Sequence, residues 1–198
     1  MISARVRQFL DQNGVRYDVL RHDPAFTAQE LAAGMHVPGR EFVKVVVVKL
    51  DGRYALVALP AHRRVDLKEL AAVAAAKKCS LATEEEFQKL FPDCEVGAMP
   101  PFGNLYKMDT FVDREVARDE RIVVNAGTHA EAVRLRYADL ERLVMPHLGS
   151  FGVPPPAERA AKAGSVTKKA KKKAKRRKKA PARKKPKSRK KKKKKKKK

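Results

Sequence analysis

Hydrophobic positions in the first third of the chain change period three times. Ile2, Val6, Phe9 and Leu10 recur at helical spacing, which predicts an amphipathic opening helix that Asn13-Gly14 ends. Tyr17-Asp18-Val19-Leu20 then reads as a short strand. After His22-Asp23-Pro24, the tetrad Thr27-Ala28-Gln29-Glu30 has capping-box spacing and predicts a second helix, closed by Val37-Pro38-Gly39. From Phe42 the period shortens. A nearly unbroken β-branched run to Leu50, the two-residue turn Asp51-Gly52 and a second apolar run to Leu59 predict a β-hairpin buried on both faces.

Pro60 should end that hairpin, and Asp66 should cap a helix through Leu67, Leu70 and Ala71. Thr83-Glu84-Glu85-Glu86 is a further capping box whose helix stops before Pro92. Thr110-Phe111-Val112 and the run from Arg121 to Asn125 read as strands separated by a charged turn. Ala126-Gly127-Thr128 makes the next break. Tyr137, Leu140, Leu143 and Val144 then space as one face of a final helix, which Pro146 and Gly149 bring to an end. Strands scattered among helices, with one tight hairpin, predict a single α+β domain with a mixed sheet rather than a regular βαβ array.

Charge divides the chain more sharply than hydrophobicity does. The 198 residues carry a formal net charge of +25, yet residues 1–152 hold 21 basic and 21 acidic side chains, and 153–198 hold 26 and 1. The body is neutral, and the excess belongs to a Lys/Arg-rich tail that follows Pro154-Pro155-Pro156 and ends in a lysine run over 190–198. Two segments follow: a folded domain over 1–152 and a tail over 153–198 that has almost nothing to bury and is expected to be disordered.

Several function classes drop out. No apolar run reaches the roughly 20 residues of a membrane-spanning helix, and the N-terminus has no apolar leader core, so a cytoplasmic protein without a membrane partner is expected. Cys79 and Cys94 fit neither a disulfide framework nor a CxxC site. The histidines at 22, 36, 62, 129 and 147 lack HxxxH and HxH spacing, and neither a Gly-x-Ser-x-Gly elbow nor a Gly-x-Gly-x-x-Gly fingerprint occurs. No metal and no cofactor are expected.

Three places could carry chemistry. Lys44 interrupts an apolar strand on the face of Val46, Val48 and Leu50, where a charge is costly unless paired or wet; a lysine whose stem lies on apolar surface while its ammonium reaches water fits the same spacing. Gly97-Ala98-Met99-Pro100-Pro101-Phe102-Gly103 is a stiff loop that either presents backbone N–H groups to a ligand or merely connects a helix to a strand. Asn125-Ala126-Gly127-Thr128-His129 is a strand end running into a small-residue turn, a common place for a ligand. His22 by itself reads as a turn residue.

Taken in order, His22-Asp23-Pro24 with Thr27-Ala28-Gln29-Glu30, Phe42-Val43-Lys44, the stretch from Arg64 to Leu70, the 96–103 loop and Asn125-Ala126-Gly127-Thr128-His129-Ala130-Glu131-Ala132 resemble the YbaK/EbsC family. Its members are free-standing aminoacyl-tRNA deacylases related to the editing domain of bacterial prolyl-tRNA synthetases. The resemblance spans roughly residues 1–150 and implies a curved mixed sheet flanked by helices. It further implies catalytic roles for Lys44 and for Gly97, Ala98, Met99, Pro100 and Pro101, and substrate contacts by His22, Phe26, Phe102, Gly103, Ala126, Gly127, Thr128 and His129. In two places the chain departs from the family pattern: Val45 follows the lysine where relatives often carry a small hydroxyl residue, and the acidic position near the glycine turn has no certain counterpart.

What the resemblance implies is trans-editing: hydrolysis of the ester of a mischarged aminoacyl-tRNA. An activated ester needs positioning and oxyanion stabilisation more than a side-chain nucleophile, with Lys44 as a fixed positive charge and loop amides as donors. In the tail, Lys168, Lys169, Lys171, Lys172, Lys173, Lys175, Arg176, Arg177, Lys178 and Lys179 are expected to bind RNA or DNA without sequence preference. A synthetase is a further candidate partner. The competing reading is a non-catalytic nucleic-acid-binding accessory protein with a ligand-binding body and a histone-like tail.

Overall fold

In this computed structural model the described residues are 1–22 and 28–155. The expected disorder of the tail and its basic residues lie outside them, as does Phe26.

The apolar stripe that opens the chain forms α1 (Ala4–Gln12), which buries Val6 and Leu10 and ends at Asn13, followed by Gly14 at φ 63°. The strand β1 (Asp18–Arg21) and helix α2 (Ala28–Gly34) follow. The second helix stops short of the expected Val37-Pro38-Gly39 boundary, and His36 then takes a left-handed φ of 54°. The predicted hairpin is β2 (Phe42–Leu50) and β3 (Arg53–Pro60), joined by Asp51 at φ 48° and Gly52 at φ 87°. Both positive φ values belong to the tight turn whose twist suits a hairpin. Pro60 is the last residue of β3 rather than the residue beyond it.

A two-residue β4 (Arg64–Val65) precedes α3 (Leu67–Val73), whose first turn is capped by the Asp66 carboxylate through the N–H groups of Lys68 at 3.0 Å and Glu69 at 3.4 Å. Asp66→Ala should lower stability by about 1 kcal/mol, the usual cost of a lost cap, read from urea denaturation midpoints. A short β5 (Cys79–Leu81) leads to α4 (Glu84–Gln88), where the Thr83 N–H donates to the Glu86 carboxylate as its capping box requires. The strands β6 (Asp109–Asp113) and β7 (Arg121–Asn125) match the sequence expectation closely.

Unexpected is β8 (Glu131–Arg136), which pairs antiparallel with both β1 and β7. The final helix α5 (Tyr137–Val144) ends at Met145 in left-handed conformation, and β9 (His147–Gly149) and β10 (Gly152–Val153) close the body. Thus the chain beyond Gly152 still contributes backbone to the domain: Val153 pairs with Arg64, and residues Met1–Pro155 form one compact unit.

The main sheet runs β1-β8-β7-β2-β3-β6-β9, with β5 also on β2. It is mixed: β2 lies parallel to β7 and antiparallel to β3, and β3–β6 and β6–β9 are parallel. Strand alternation sends Val43, Ile122, Val124, Val133 and Leu135 to one side, where α1 and α5 cover them. Phe42, Val123 and Ala132 go to the other side, under α2. The Asp113 carboxylate, nearly buried, accepts N–H bonds from Glu115, Phe151 and Gly152 and so ties the C-terminal strands to the sheet.

Candidate active site

The centre of the sheet has a notch. Along one edge of β2 the pairing with β7 ends at Val43 opposite Val124, and that with β5 starts at Val48 opposite Leu81. Among the described residues no strand covers that edge between them, apart from the Ala82 N–H bonded to the Val47 carbonyl. Correspondingly, Lys44, Val45 and Val46 are only half-buried although their strand is central.

Lys44 projects to the α2 side of the sheet, with Phe42 and Val46. Its ammonium donates to the Ala61 carbonyl at 3.1 Å. Burial holds its pKa below the ordinary lysine value, and the nearby Arg64 guanidinium adds to the effect. By the same alternation Asn125, two residues beyond Val123, lies on this face, at the end of the neighbouring strand.

The 97–103 loop and the 125–129 turn, far apart in sequence, are bonded to each other at this point. The Gly127 N–H donates to the Ala98 carbonyl at 2.9 Å, and the Glu95 N–H to the Gly127 carbonyl at 2.8 Å. Asn125 Nδ2 donates to the Gly97 carbonyl at 3.2 Å, and the His129 N–H to the Glu95 carboxylate at 2.6 Å. His129 Nε2 lies 2.7 Å from the Val96 carbonyl, a contact that requires the ring proton on Nε2. Gly97 at φ 90° starts the loop, and Met99 packs beneath it with Val47 and Val45 on the opposite side of β2 from Lys44.

This junction leaves polar atoms buried without partners among the described residues: Asn125 Oδ1, Thr128 Oγ1 and His129 Nδ1. Buried polar atoms are nearly always paired, so such a group within one five-residue turn marks a place for a polar ligand. The loop's donors are mostly engaged. Ala98 N–H bonds Glu95 O, Gly97 N–H reaches Met99 Sδ and Gly103 N–H reaches Thr110 Oγ1, while Pro100 and Pro101 have none. The Met99 and Phe102 N–H groups are left without a bond among the described residues, Met99 at the centre of the loop and Phe102 toward the core.

Phe102 and Gly103 are buried below the loop, Phe102 against Phe9 with ring centroids 5.5 Å apart, so both brace it from the core side. Ala126 is buried, and its carbonyl accepts the Ser3 N–H. His22 follows β1, its N–H on the Ala130 carbonyl.

Sequence reasoning missed the support beneath the turn. Asp93 Oδ2 accepts from Ser3 Oγ at 2.7 Å and from Tyr106 Oη at 3.1 Å, and its other oxygen lies 3.4 Å from Arg5. Nothing in the local sequence marks Asp93, Glu95 or Ser3; only Asn125, at a strand end, carried a signal. Burial pushes the Cys94 thiol up to about 11 and raises Cys79 as well, so neither is a thiolate nucleophile at neutral pH. Among the described residues no three histidine, cysteine or acidic side chains converge as metal ligands, and no helix is long and apolar enough to cross a membrane.

Known proteins with this pattern agree in kind. A model of the aminoacyl-tRNA editing domain matches residues 22–143. The chain is 25% identical over 149 residues to the prolyl-tRNA editing protein ProX of Acetoanaerobium sticklandii, covering 72% of this chain and 90% of that protein. It is 34% identical over 110 residues to a proline–tRNA ligase of Streptomyces griseus, which is 54% of this chain but 19% of the ligase. Among solved structures, hypothetical protein APE2540 matches with a TM-score of 0.69 at 20% identity, covering 75% of this chain and 99% of that one. A candidate trans-editing enzyme for prolyl-tRNA synthetase matches at 0.65 and 21%, covering 75% and 95%. At these identities the structural likeness concerns the fold alone.

Proposed function

From the premise that the chain belongs to the aminoacyl-tRNA editing domain family, among its YbaK-like deacylases, we propose that its body hydrolyses the ester of a mischarged aminoacyl-tRNA in trans. The observation that carries this reading is the set of unpartnered polar atoms of Asn125, Thr128 and His129 in a turn locked against the 97–103 loop, with Asn125 on the Lys44 face of the neighbouring strand. In the proposed reaction water attacks the ester carbonyl carbon, the bond from that carbon to the ribose oxygen breaks, and the water's proton passes to the departing ribose hydroxyl. The Met99 N–H faces the developing oxyanion. Such a donor is worth about 2.7–4 kcal/mol in a preorganised site. Lys44 supplies a fixed positive charge for the adenosine phosphate or the ester oxygen, and the open polar atoms of the turn hold the attacking water or the α-amino group. Because the curated relatives are named for prolyl-tRNA editing and proline ligation, tRNA for proline is the first acceptor to test.

In this reading residues 1–152 carry the chemistry and residues 153–198 hold RNA near it. The full chain should release amino acid from at least one misacylated member of a panel of charged tRNAs; hydrolysis of none overturns the reading. The tail's contribution should be blind to sequence. Raising salt from about 50 to 200 mM should weaken binding of tRNA and of duplex DNA alike by 10³-fold or more, as expected when at least about six phosphates are neutralised. A tRNA affinity that ignores salt overturns the tail's role.

A further inference from the structure

On the α2 side of the sheet, α2 covers Phe42, Val123 and Ala132, and α3 with Phe151 packs over β2 and β3, whereas the other ends of β7, β8 and β1 are left open among the described residues. There Arg121 on β7, Arg134 and Arg136 on β8 and Asp18 on β1 share the face that carries Lys44, and Arg16 reaches it from the preceding loop. Together with Glu120 they line a cleft of about 660 Å³. Beside Gly14, Tyr17 and Leu135, its charged lining is four guanidinium groups against two carboxylates. Arg136 is committed to Asp139 at 3.0 Å, whereas Arg16, Arg121 and Arg134 have no carboxylate within ion-pair distance among the described residues. Arg121 stands four residues before Asn125 on one strand, about 13 Å away at strand spacing.

We infer that this cleft binds backbone phosphates of the tRNA acceptor arm while its terminal ester occupies the notch. Arginine recognises phosphate by paired N–H donors and keeps its charge at any working pH. A concave site with unpaired guanidinium groups, on the same face as the notch and one strand length from it, matches a phosphate strand leading away from the reacting end. The body thereby supplies orientation, which a flexible polycation cannot. This inference rests on the editing reading of the notch.

The test uses the full chain with Arg16→Gln, Arg121→Gln and Arg134→Gln combined, with Arg121→Glu alone as a second variant. The substrates are a misacylated tRNA and the same aminoacyl ester on a CCA trinucleotide. For tRNA, KM should rise at least about fivefold with kcat unchanged, and the slope of log affinity against log salt should fall by about 2–3, near one per lost phosphate contact. Turnover of the trinucleotide ester should not change. An unaltered KM and salt slope for tRNA, or an equal loss on both substrates, overturns the inference. If the unmodified protein hydrolyses neither ester, the editing reading fails by itself; the salt slope for uncharged tRNA then decides the cleft, a shallower slope in the variant supporting it and an unchanged one overturning it.

Discussion

Lys44→Ala should reduce kcat/KM for aminoacyl-ester hydrolysis by about 100-fold or more, the scale set by removing one preorganised electrostatic contact from a transition state. The fold should survive. Lys44 is half-buried, among the described residues its ammonium bonds only the Ala61 carbonyl, and burial works against its charge, so stability should change by less than about 1 kcal/mol. The loss therefore separates from unfolding in a thermal melt run on the same samples. A pH profile gives an independent check. With its pKa below the ordinary lysine value, Lys44 loses its charge earlier as pH rises, so the alkaline limb of the rate should fall before an exposed lysine would titrate, and that limb should be absent in Lys44→Gln. Turnover within a few-fold of the unmodified protein would remove Lys44 from the mechanism.

The second large effect is expected at Gly127. Its φ of 100° is a conformation L residues rarely adopt, and an added Cβ would meet the Ser3 Cβ at 2.7 Å, with the Asp93 carbonyl and Cys94 Sγ close behind. Ser3 cannot easily yield, because its N–H bonds the Ala126 carbonyl and its hydroxyl bonds Asp93. Gly127→Ala should cost about 2–5 kcal/mol, the sum of a left-handed L residue and local overpacking, and should depress hydrolysis at temperatures where the protein is still folded. Gly14→Ala is the control. There φ is also positive, at 63°, but nothing lies within 4 Å of the added carbon, so only the backbone cost of about 1–2 kcal/mol remains. Equal melting points for the two variants would show that the Ser3 contact is not rigid.

The hairpin of β2 and β3 could be read directly because a nearly continuous β-branched run and an Asp-Gly turn act over a few residues. β8 could not. Its six residues Glu-Ala-Val-Arg-Leu-Arg are too short and too charged to announce a strand, and their extended state comes from β1 on one side and β7 on the other. β4, β5, β9 and β10, at two or three residues each, have the same origin. The early end of α2 likewise reflects the left-handed turn at His36, which no proline or glycine at that position signals.

For the site, local chemistry in the chain singled out Lys44 as a charge inside an apolar strand, the 97–103 loop by its prolines and glycines, and 125–129 as a strand running into a glycine turn. It also confined the whole charge excess to the tail. Tertiary structure alone decided that the loop and the turn are bonded to each other, that Asn125 comes beside Lys44, and that Phe102 and Gly103 brace the loop from below. It alone placed Asp93 under the turn and collected three arginines on the Lys44 face. The reason is range. Turn chemistry and side-chain periodicity act over a few neighbouring residues, while the notch exists because two strands, β7 and β5, stop at different points along β2, and that register is set only when distant segments pack.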